Sequence, residues 1–364
     1  MKIPYVNLGL QHKEIKIEIL TEVEKLLDSG MFILGGITAE FEQKFADLCG
    51  VKHAIGVSNG TISLMLCMQA VGIKEDDEVI TTSNSYLSSA SSIALVGAKP
   101  IFADVDDTMN ISIDSLKSKI TDKTKAIIPV HLTGRSADMD AINKIAKEHN
   151  LIVIEDAAQA VGAKYKGKVT GSLGDFGSFS LHPLKNLGAC GDAGIITTNN
   201  DEYASWLKKA RTHGMKNRDE CEFWSYNARI DAMQAAILNV KVDHVEKWNN
   251  RRLEIANRYN EVLNDHVIIP ENCIDYQSVY HAYIIQTSKR DELMKFLIDS
   301  GIDCKIHYPI AIHQQESAKY LNVSDADLPR TDRMIQEILS IPVHHNLTDI
   351  EVDYICDKLN AFFK

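Results

Sequence analysis

Apolar residues recur along the chain with two different spacings. In residues 12–29 and 38–49 they repeat every three or four positions, and each stretch ends at a glycine. This spacing predicts two amphipathic helices. Further on, short apolar runs alternate with helical patterns, and the runs that we predict as strands are 53–58, 77–83, 99–105, 125–132, 151–157, 177–181 and 193–198. The alternation indicates an α/β fold in which helices sandwich a mostly parallel, mixed sheet.

The pattern changes after one long helical stretch at residues 231–264. Beyond it the sequence predicts shorter elements, namely strands at 280–287 and 304–309 and helices at 291–301, 329–339 and 349–362. We therefore predict a large domain at residues 1–245 and a small C-terminal α/β domain at 246–364. A chain of 364 residues is long enough for this division.

Composition and charge narrow the classes of function. The formal charge is −11 and no basic stripe appears, so nucleic acid is not an expected partner. Seven cysteines are scattered singly, without the spacing of a metal site or a disulfide framework, which predicts no metal and a reducing compartment. No signal peptide or membrane-length apolar run is present, so we expect a cytoplasmic protein without a membrane partner.

Lys185 is the only charged residue between Asp175 and Asp192, in the stretch SLHPLKNLGACGDAG. An isolated lysine is most simply a loop residue that reaches solvent. In a crowded apolar setting, however, the pKa of its amine falls, and a neutral amine is a nucleophile that forms Schiff bases.

Two further segments suggest a partner for such an amine. Asp156 follows a buried strand, where it is either a structural ion pair or the partner of a buried cation. Residues 59–61, NGT, lie between a strand and a helix, where backbone amides either bind a phosphate or are capped by side chains. An amine, a carboxylate and a phosphate seat together are what pyridoxal 5′-phosphate (PLP) requires.

The sequence resembles the DegT/StrS family of PLP-dependent nucleotide-sugar aminotransferases nearly from end to end. The segments that carry the resemblance are SNGTISLML, GAKPIFADVD, IPVHLTGRSADMDAI, VIEDAAQAVGA, GSFSLHPLKNLGACGDAG, YNARIDAMQAAIL, IHYPIAIHQQ and SIPVHHNLTDIEV. The resemblance implies the aspartate-aminotransferase-like fold, PLP-dependent transferase fold type I.

The resemblance also implies roles for individual residues. Lys185 matches the Schiff-base lysine, and the other positions that match cofactor contacts are Gly60, Thr61 and Ser180 (phosphate), Tyr86 (ring stacking), Asp156 (pyridine nitrogen) and Gln159 (ring hydroxyl). Asn227 matches a residue that reaches the phosphate in the neighbouring subunit, which implies a homodimer with shared active sites.

Substrate contacts are expected from four residues. Arg229 either binds an anionic group of the amino donor or sugar nucleotide, or forms an interface ion pair. His182, His307 and Tyr308 are expected to line the sugar pocket on the resemblance alone. The chain departs from the family pattern at Gly36, Thr133, Arg135 and Leu184, none of which bears on the cofactor's chemistry.

The resemblance implies transfer of the amino group of L-glutamate to a nucleotide-linked keto-deoxyhexose in amino-sugar biosynthesis. The stretch IHYPIAIHQQ favours a dTDP-3-keto-6-deoxyhexose. The alternatives are a 4-keto nucleotide-sugar aminotransferase, a PLP-dependent sugar dehydratase, a PLP-binding regulatory protein and a cysteine desulfurase that uses Cys190. The dehydratases of this kind carry histidine in place of the lysine, so Lys185 argues against them.

Overall fold

The computed structural model describes residues 1–263, 267–269 and 273–364. Its helices are α1 (Leu8–Ser29), α2 (Gly35–Cys49), α3 (Gly60–Ala70), α4 (Ser88–Leu95), α5 (Ile113–Ser118), α6 (Met139–His149), α7 (Asp201–Ala210), α8 (Ala232–Lys241), α9 (Val245–Leu263), α10 (Arg290–Asp299), α11 (Pro329–Glu337) and α12 (Asp349–Phe363). Its strands are β1 (His53–Val57), β2 (Glu78–Thr82), β3 (Lys99–Ala103), β4 (Thr124–Ile127), β5 (Ile152–Asp156), β6 (Lys164–Tyr165), β7 (Lys168–Val169), β8 (Phe176–Ser180), β9 (Gly194–Thr198), β10 (Tyr276–Gln277), β11 (Tyr283–Gln286) and β12 (Ile338–Ile341).

The main sheet has seven strands in the described part of the chain, in the order β1-β9-β8-β5-β4-β2-β3. The neighbours from β8 to β3 are parallel, whereas β9 is antiparallel to both β8 and β1. Ile195 packs with Phe41 and Phe45 of α2, and Ile196 packs with Leu64 and Leu66 of α3. Successive residues of a strand point to opposite faces. Helices therefore cover both faces, and the predicted mostly parallel, mixed sheet is confirmed.

The C-terminal part of the chain contains a smaller sheet formed by β11 and β12. The two strands pack with α9, α10 and α12 in a buried cluster that includes Tyr259, Tyr283 and Leu297. The predicted long helix is α8 and α9 joined by a 3₁₀ turn at residues 242–244, and its last predicted residue, 264, lies outside the described residues. The division at 245/246 falls where α9 begins and stays a prediction.

The predicted strand at residues 304–309 is wrong. Lys305 alone pairs there, through hydrogen bonds with Ser340 of 3.0 and 2.8 Å. Pro309 has no N–H group to donate to a neighbouring strand, and residues 306–308 leave the sheet edge before it.

A buried carboxylate fixes the end of β5. Glu155 accepts hydrogen bonds from the backbone N–H groups of Gly171, Leu173 and Gly174 at 2.7–2.8 Å, and from His131 at 2.9 Å. The Nδ1 atom of His131 accepts from the N–H of Ala137, so its Nε2 carries the proton donated to Glu155. Both side chains are fully buried. The network therefore ties the end of β5, next to Asp156, to the loop after β4 and to residues 171–174.

Among the helices that the structure describes, none combines the length and the apolar character that crossing a membrane requires.

We expect the substitution Glu155→Gln to lower the free energy of unfolding by about 3 kcal/mol, because an amide N–H₂ would face backbone donors and leave a buried network incomplete. Chemical denaturation followed by circular dichroism measures the change. Glu148→Gln on the exposed side of α6 is the control and should change the value by less than about 0.5 kcal/mol. Equal effects of the two substitutions would contradict this account of β5.

Candidate active site

Asp156 lies at the carboxyl end of β5, next to the parallel strand β8. Only 5% of the residue is exposed. Its Oδ2 atom accepts a hydrogen bond of 2.7 Å from the hydroxyl of Ser89, and Oδ1 accepts one of 3.3 Å from the N–H of Ala158. Because Ser89 gives its proton to the carboxylate, the 2.7 Å contact between Ser85 and Ser89 requires Ser85 to donate. Two hydroxyls in series thus orient the carboxylate.

Lys185 lies in the loop between β8 and β9. Its backbone N–H bonds to the carbonyl of His182 at 2.8 Å, and the buried Lys241 of α8 donates to the carbonyl of Gly188 at 2.6 Å. Protein packed around the Lys185 amine lowers its pKa from 10.5 to about 8, an effect that the charge of Asp156 opposes. The amine is therefore much more often neutral near pH 8 than a surface lysine.

The first turn of α3 faces the same region. The side chain of Asn59 accepts from the N–H of Ile62, while the N–H groups of Gly60 and Thr61 belong to the turn that lacks intrahelical acceptors. A Cβ atom on Gly60 would lie 2.8 Å from the Cβ of Ser180, too close for any side chain. The hydroxyl of Thr61 contacts that of Ser88 at 2.8 Å. This helix end can bind an anion.

Gln159, Tyr308 and Tyr86 form a second side of the site. Gln159 Oε1 accepts from the N–H of Thr133 at 2.7 Å, so its Nε2 donates to the Tyr308 hydroxyl at 3.2 Å. The ring of Tyr308 lies 6.0 Å from that of Tyr86, which is 57% exposed. Burial and then the charge of Asp156 raise the pKa of Tyr308, so its hydroxyl stays protonated.

The expected substrate residues occupy different positions. His307 is half-buried, its Nδ1 lies 2.8 Å from the Ser340 hydroxyl, and burial followed by the Lys185 charge lowers its pKa to about 4. His182 is exposed beside the lysine. Asn227 and Arg229 lie on the segment that pairs with Thr212 and with Val57 of β1. Within the described ranges, no hydrogen bond or ion pair joins their side chains to the other site residues.

Sequence reasoning missed Ser85, Ser89 and His281. Asn186 donates to the Asn249 side chain at 2.8 Å and to the carbonyl of Val279 at 2.9 Å, so its Oδ1 must accept from Nδ1 of His281 at 3.2 Å. Burial, and then the charge of Lys185, hold the pKa of His281 well below its usual value. The two serines lie in the segment SNSYLSSA, where the family resemblance pointed only to Tyr86.

The site thus joins a crowded amine, a buried carboxylate and the first turn of a helix. The sequence model of the DegT/DnrJ/EryC1/StrS aminotransferase family matches residues 13–360. The chain belongs to this family. It is a PLP-dependent aminotransferase that acts on a nucleotide-linked sugar. The expected family, fold type and cofactor are confirmed.

Two relatives and two solved structures illustrate the similarity. A "Pleiotropic regulatory protein" of Geobacillus stearothermophilus is 41% identical over 100% of this chain and 99% of its own. The dTDP-3-amino-3,6-dideoxy-alpha-D-galactopyranose transaminase of Aneurinibacillus thermoaerophilus is 40% identical over 99% of each chain. DesV of S. venezuelae, solved in complex with ketimine intermediate, has a TM-score of 0.97 at 33% identity over 100% and 99% of the chains. Bacillus subtilis ntda with bound cofactor PMP has a TM-score of 0.91 at 29% identity over 100% and 85%.

The residues fit PLP on structural grounds. The cradle at Gly60 and Ser180 has no room for a further side chain, and the first-turn amides of α3 suit a phosphate. Asp156 is buried and ready to pair with a protonated ring nitrogen, and the amine of Lys185 loses its proton near pH 8.

We expect Ser89→Ala to weaken PLP binding about tenfold, because the Asp156 carboxylate loses the charge-assisted hydrogen bond that orients it. Fluorescence titration of the apoprotein measures the dissociation constant. Ser91→Ala, two residues further along α4, is the control and should leave the constant unchanged. If both variants bind PLP as the parent does, Ser89 has no part in placing the carboxylate.

Proposed function

We propose that the protein transfers the amino group of L-glutamate to C3 of a dTDP-linked 3-keto-6-deoxyhexose, releasing 2-oxoglutarate and the corresponding amino sugar. The observation that carries the proposal is the Lys185 amine, whose pKa is lowered to about 8 beside the carboxylate of Asp156. The reaction has two halves, one with glutamate and one with the keto sugar, and each needs a group that takes up and releases a proton. A solvated loop lysine would keep its ordinary pKa and could not do this in both halves.

Six residues are proposed to hold the cofactor. The amides of Gly60 and Thr61 and the hydroxyl of Ser180 bind its phosphate. Asp156 keeps the pyridine nitrogen protonated, Gln159 lies beside the ring hydroxyl, and Tyr86 stacks on the ring. When bound, PLP supplies an electron sink that lets a proton leave the carbon bearing the amino group.

Lys185 then acts as the acid and base. The Nζ atom of Lys185 would hold PLP, and as a neutral amine it would take up a proton at one carbon and return it to a neighbouring carbon. His307 supports this role because its pKa of about 4 keeps the ring neutral, so it adds no positive charge that would depress the pKa of the amine further.

The sugar site is proposed around His182, His307 and Tyr308, with Arg229 binding an anionic group of the donor or the nucleotide. Position C3 and the dTDP group are supported by the name of the Aneurinibacillus relative, which is a 3-amino-3,6-dideoxy sugar transaminase. The stretch IHYPIAIHQQ supports the same choice.

A homodimer with shared active sites completes the proposal. Asn227 is exposed in the single chain, although its segment pairs with Thr212 and with β1. This exposure is what a side chain that reaches into the partner's site would have.

A regulatory role is the second candidate, because the relative from Geobacillus stearothermophilus is named as a regulatory protein. The cysteine desulfurase alternative finds less support. Cys190 is exposed, but its Sγ atom lies 3.3 Å from Nε2 of His12 on α1, and its backbone N–H is held by Gln234 at 2.9 Å.

With glutamate and dTDP-3-keto-6-deoxyhexose, we expect equal amounts of 2-oxoglutarate and amino sugar, measured by coupled assay and mass spectrometry. Lys185→Arg should reduce the rate at least about a thousandfold because its guanidinium cannot exchange protons, while exposed Lys208→Arg on α7 should match the parent. A higher kcat/KM for the 4-keto isomer would overturn the choice of C3. Absence of 2-oxoglutarate with either sugar would favour the regulatory candidate.

Mixed dimers test the shared site. Lys185→Ala and Asn227→Ala homodimers should each be weakly active, whereas subunits exchanged at a 1:1 ratio should recover about a quarter of the parent activity. Half of the dimers are then hybrids, and each hybrid holds one intact site of two. Recovery of no activity beyond the separate samples would show that each site is built from one chain.

A further inference from the structure

A small cavity lies behind the cofactor side of the site. Its volume is about 20 Å³, and its walls come from the loop after β4, from α9 and from the segment around β11. Arg135, Tyr280, Thr133, Asn260 and Ser278 are among its polar residues, and Met109 and Ile284 are among the apolar ones. No carboxylate belongs to the lining within the described residues.

Arg135 contributes a guanidinium to the lining of this space, and two of its nitrogens are unpaired. The residue is 8% exposed, and its Nε and Nη1 atoms have no hydrogen-bond partner among the residues that the structure describes. The guanidinium carbon lies 4.0 Å from the ring centre of Tyr276, which holds the group in place. No ion pair with a carboxylate within 4.0 Å is found for it in the described ranges, and the charge of Asp106 acts only from farther away.

A second donor faces the same cavity. The hydroxyl of Tyr280 is buried and has no hydrogen-bond partner of good geometry in the described part of the chain, although the nearby amide of Asn260 partly opposes the rise of its pKa. Burial raises its pKa, so the hydroxyl keeps its proton. Two kinds of donor therefore converge on a space about the size of one small ion, together with a positive charge that no carboxylate of residues 1–263, 267–269 or 273–364 pairs with.

We propose that this cavity is a halide site that binds chloride between Arg135 and Tyr280. Water would accept the hydrogen bonds but leave a buried charge without a counter-ion, which is costly in a protein interior. Phosphate, sulfate and carboxylates are too large for a space that accommodates about one water molecule. A monoatomic anion meets both requirements.

The halide site lies directly behind a cofactor residue. Thr133 lines the cavity, and its N–H group donates to Gln159 at 2.7 Å. The carbonyl of Thr133 accepts from the N–H of Ala282, and that of Gly134 accepts from Val279. Chloride between Arg135 and Tyr280 would bridge these two segments, the first of which supports Gln159 through the N–H of Thr133.

Diffraction from holoenzyme crystals grown in bromide tests the site directly. We expect an anomalous peak within hydrogen-bond distance of the Arg135 guanidinium and the Tyr280 hydroxyl, and no peak there in Arg135→Met. Water at that position in the parent protein, or bromide only on the surface, would overturn the proposal.

Thermal unfolding of the holoenzyme gives an independent measurement in solution. Potassium chloride should raise Tm about 2 °C above potassium gluconate at equal ionic strength. The difference should vanish in Arg135→Met and persist in the control Arg218→Met, which alters an exposed arginine. A chloride effect of equal size in all three proteins would show that the ion acts elsewhere.

Discussion

The proposed site depends on two opposing effects on the pKa of the Lys185 amine, namely burial and the charge of Asp156. Packing lowers the pKa of Lys185 to about 8, and the carboxylate of Asp156 prevents it from falling further. Without that carboxylate the pKa would fall further, whereas a solvated lysine would keep a pKa near 10.5 and be almost entirely protonated at neutral pH. The loop between β8 and β9, the end of β5 and the first turn of α3 meet at one end of the sheet.

The residues that hold Asp156 in place are not themselves proposed to take part in the reaction. Ser85 and Ser89 orient one side of Asp156, while Glu155 fixes the neighbouring loop from the opposite side of β5. Each of these groups is buried and hydrogen-bonded, so each is sensitive to its partner. The carboxylate is consequently rigid before any ligand arrives.

The sequence predicted the main features of the fold, and two of its predicted site residues, Lys185 and Asp156, lie close enough for their charges to interact. Apolar runs separated by helical spacing indicated the sheet, and the absence of other charges around Lys185 indicated its crowding. The strand predicted at 304–309 failed because periodicity does not register that Pro309 cannot donate to a neighbouring strand. Ser89 and His281 were missed because their partners, Asp156 and Asn186, are distant in sequence, and only tertiary packing brings them together. Arg135 appeared in the sequence only as a departure from a family motif, and only the folded structure shows that two nitrogens of its guanidinium are buried without a hydrogen-bond partner.

Asn186 has a mechanical consequence for the enzyme. Its amide uses both protons and its oxygen on Asn249, Val279 and His281, all of which lie in the C-terminal third of the chain. The reactive lysine is the adjacent residue. Any movement of these residues relative to the loop between β8 and β9 would therefore either break three hydrogen bonds or displace Lys185 with it.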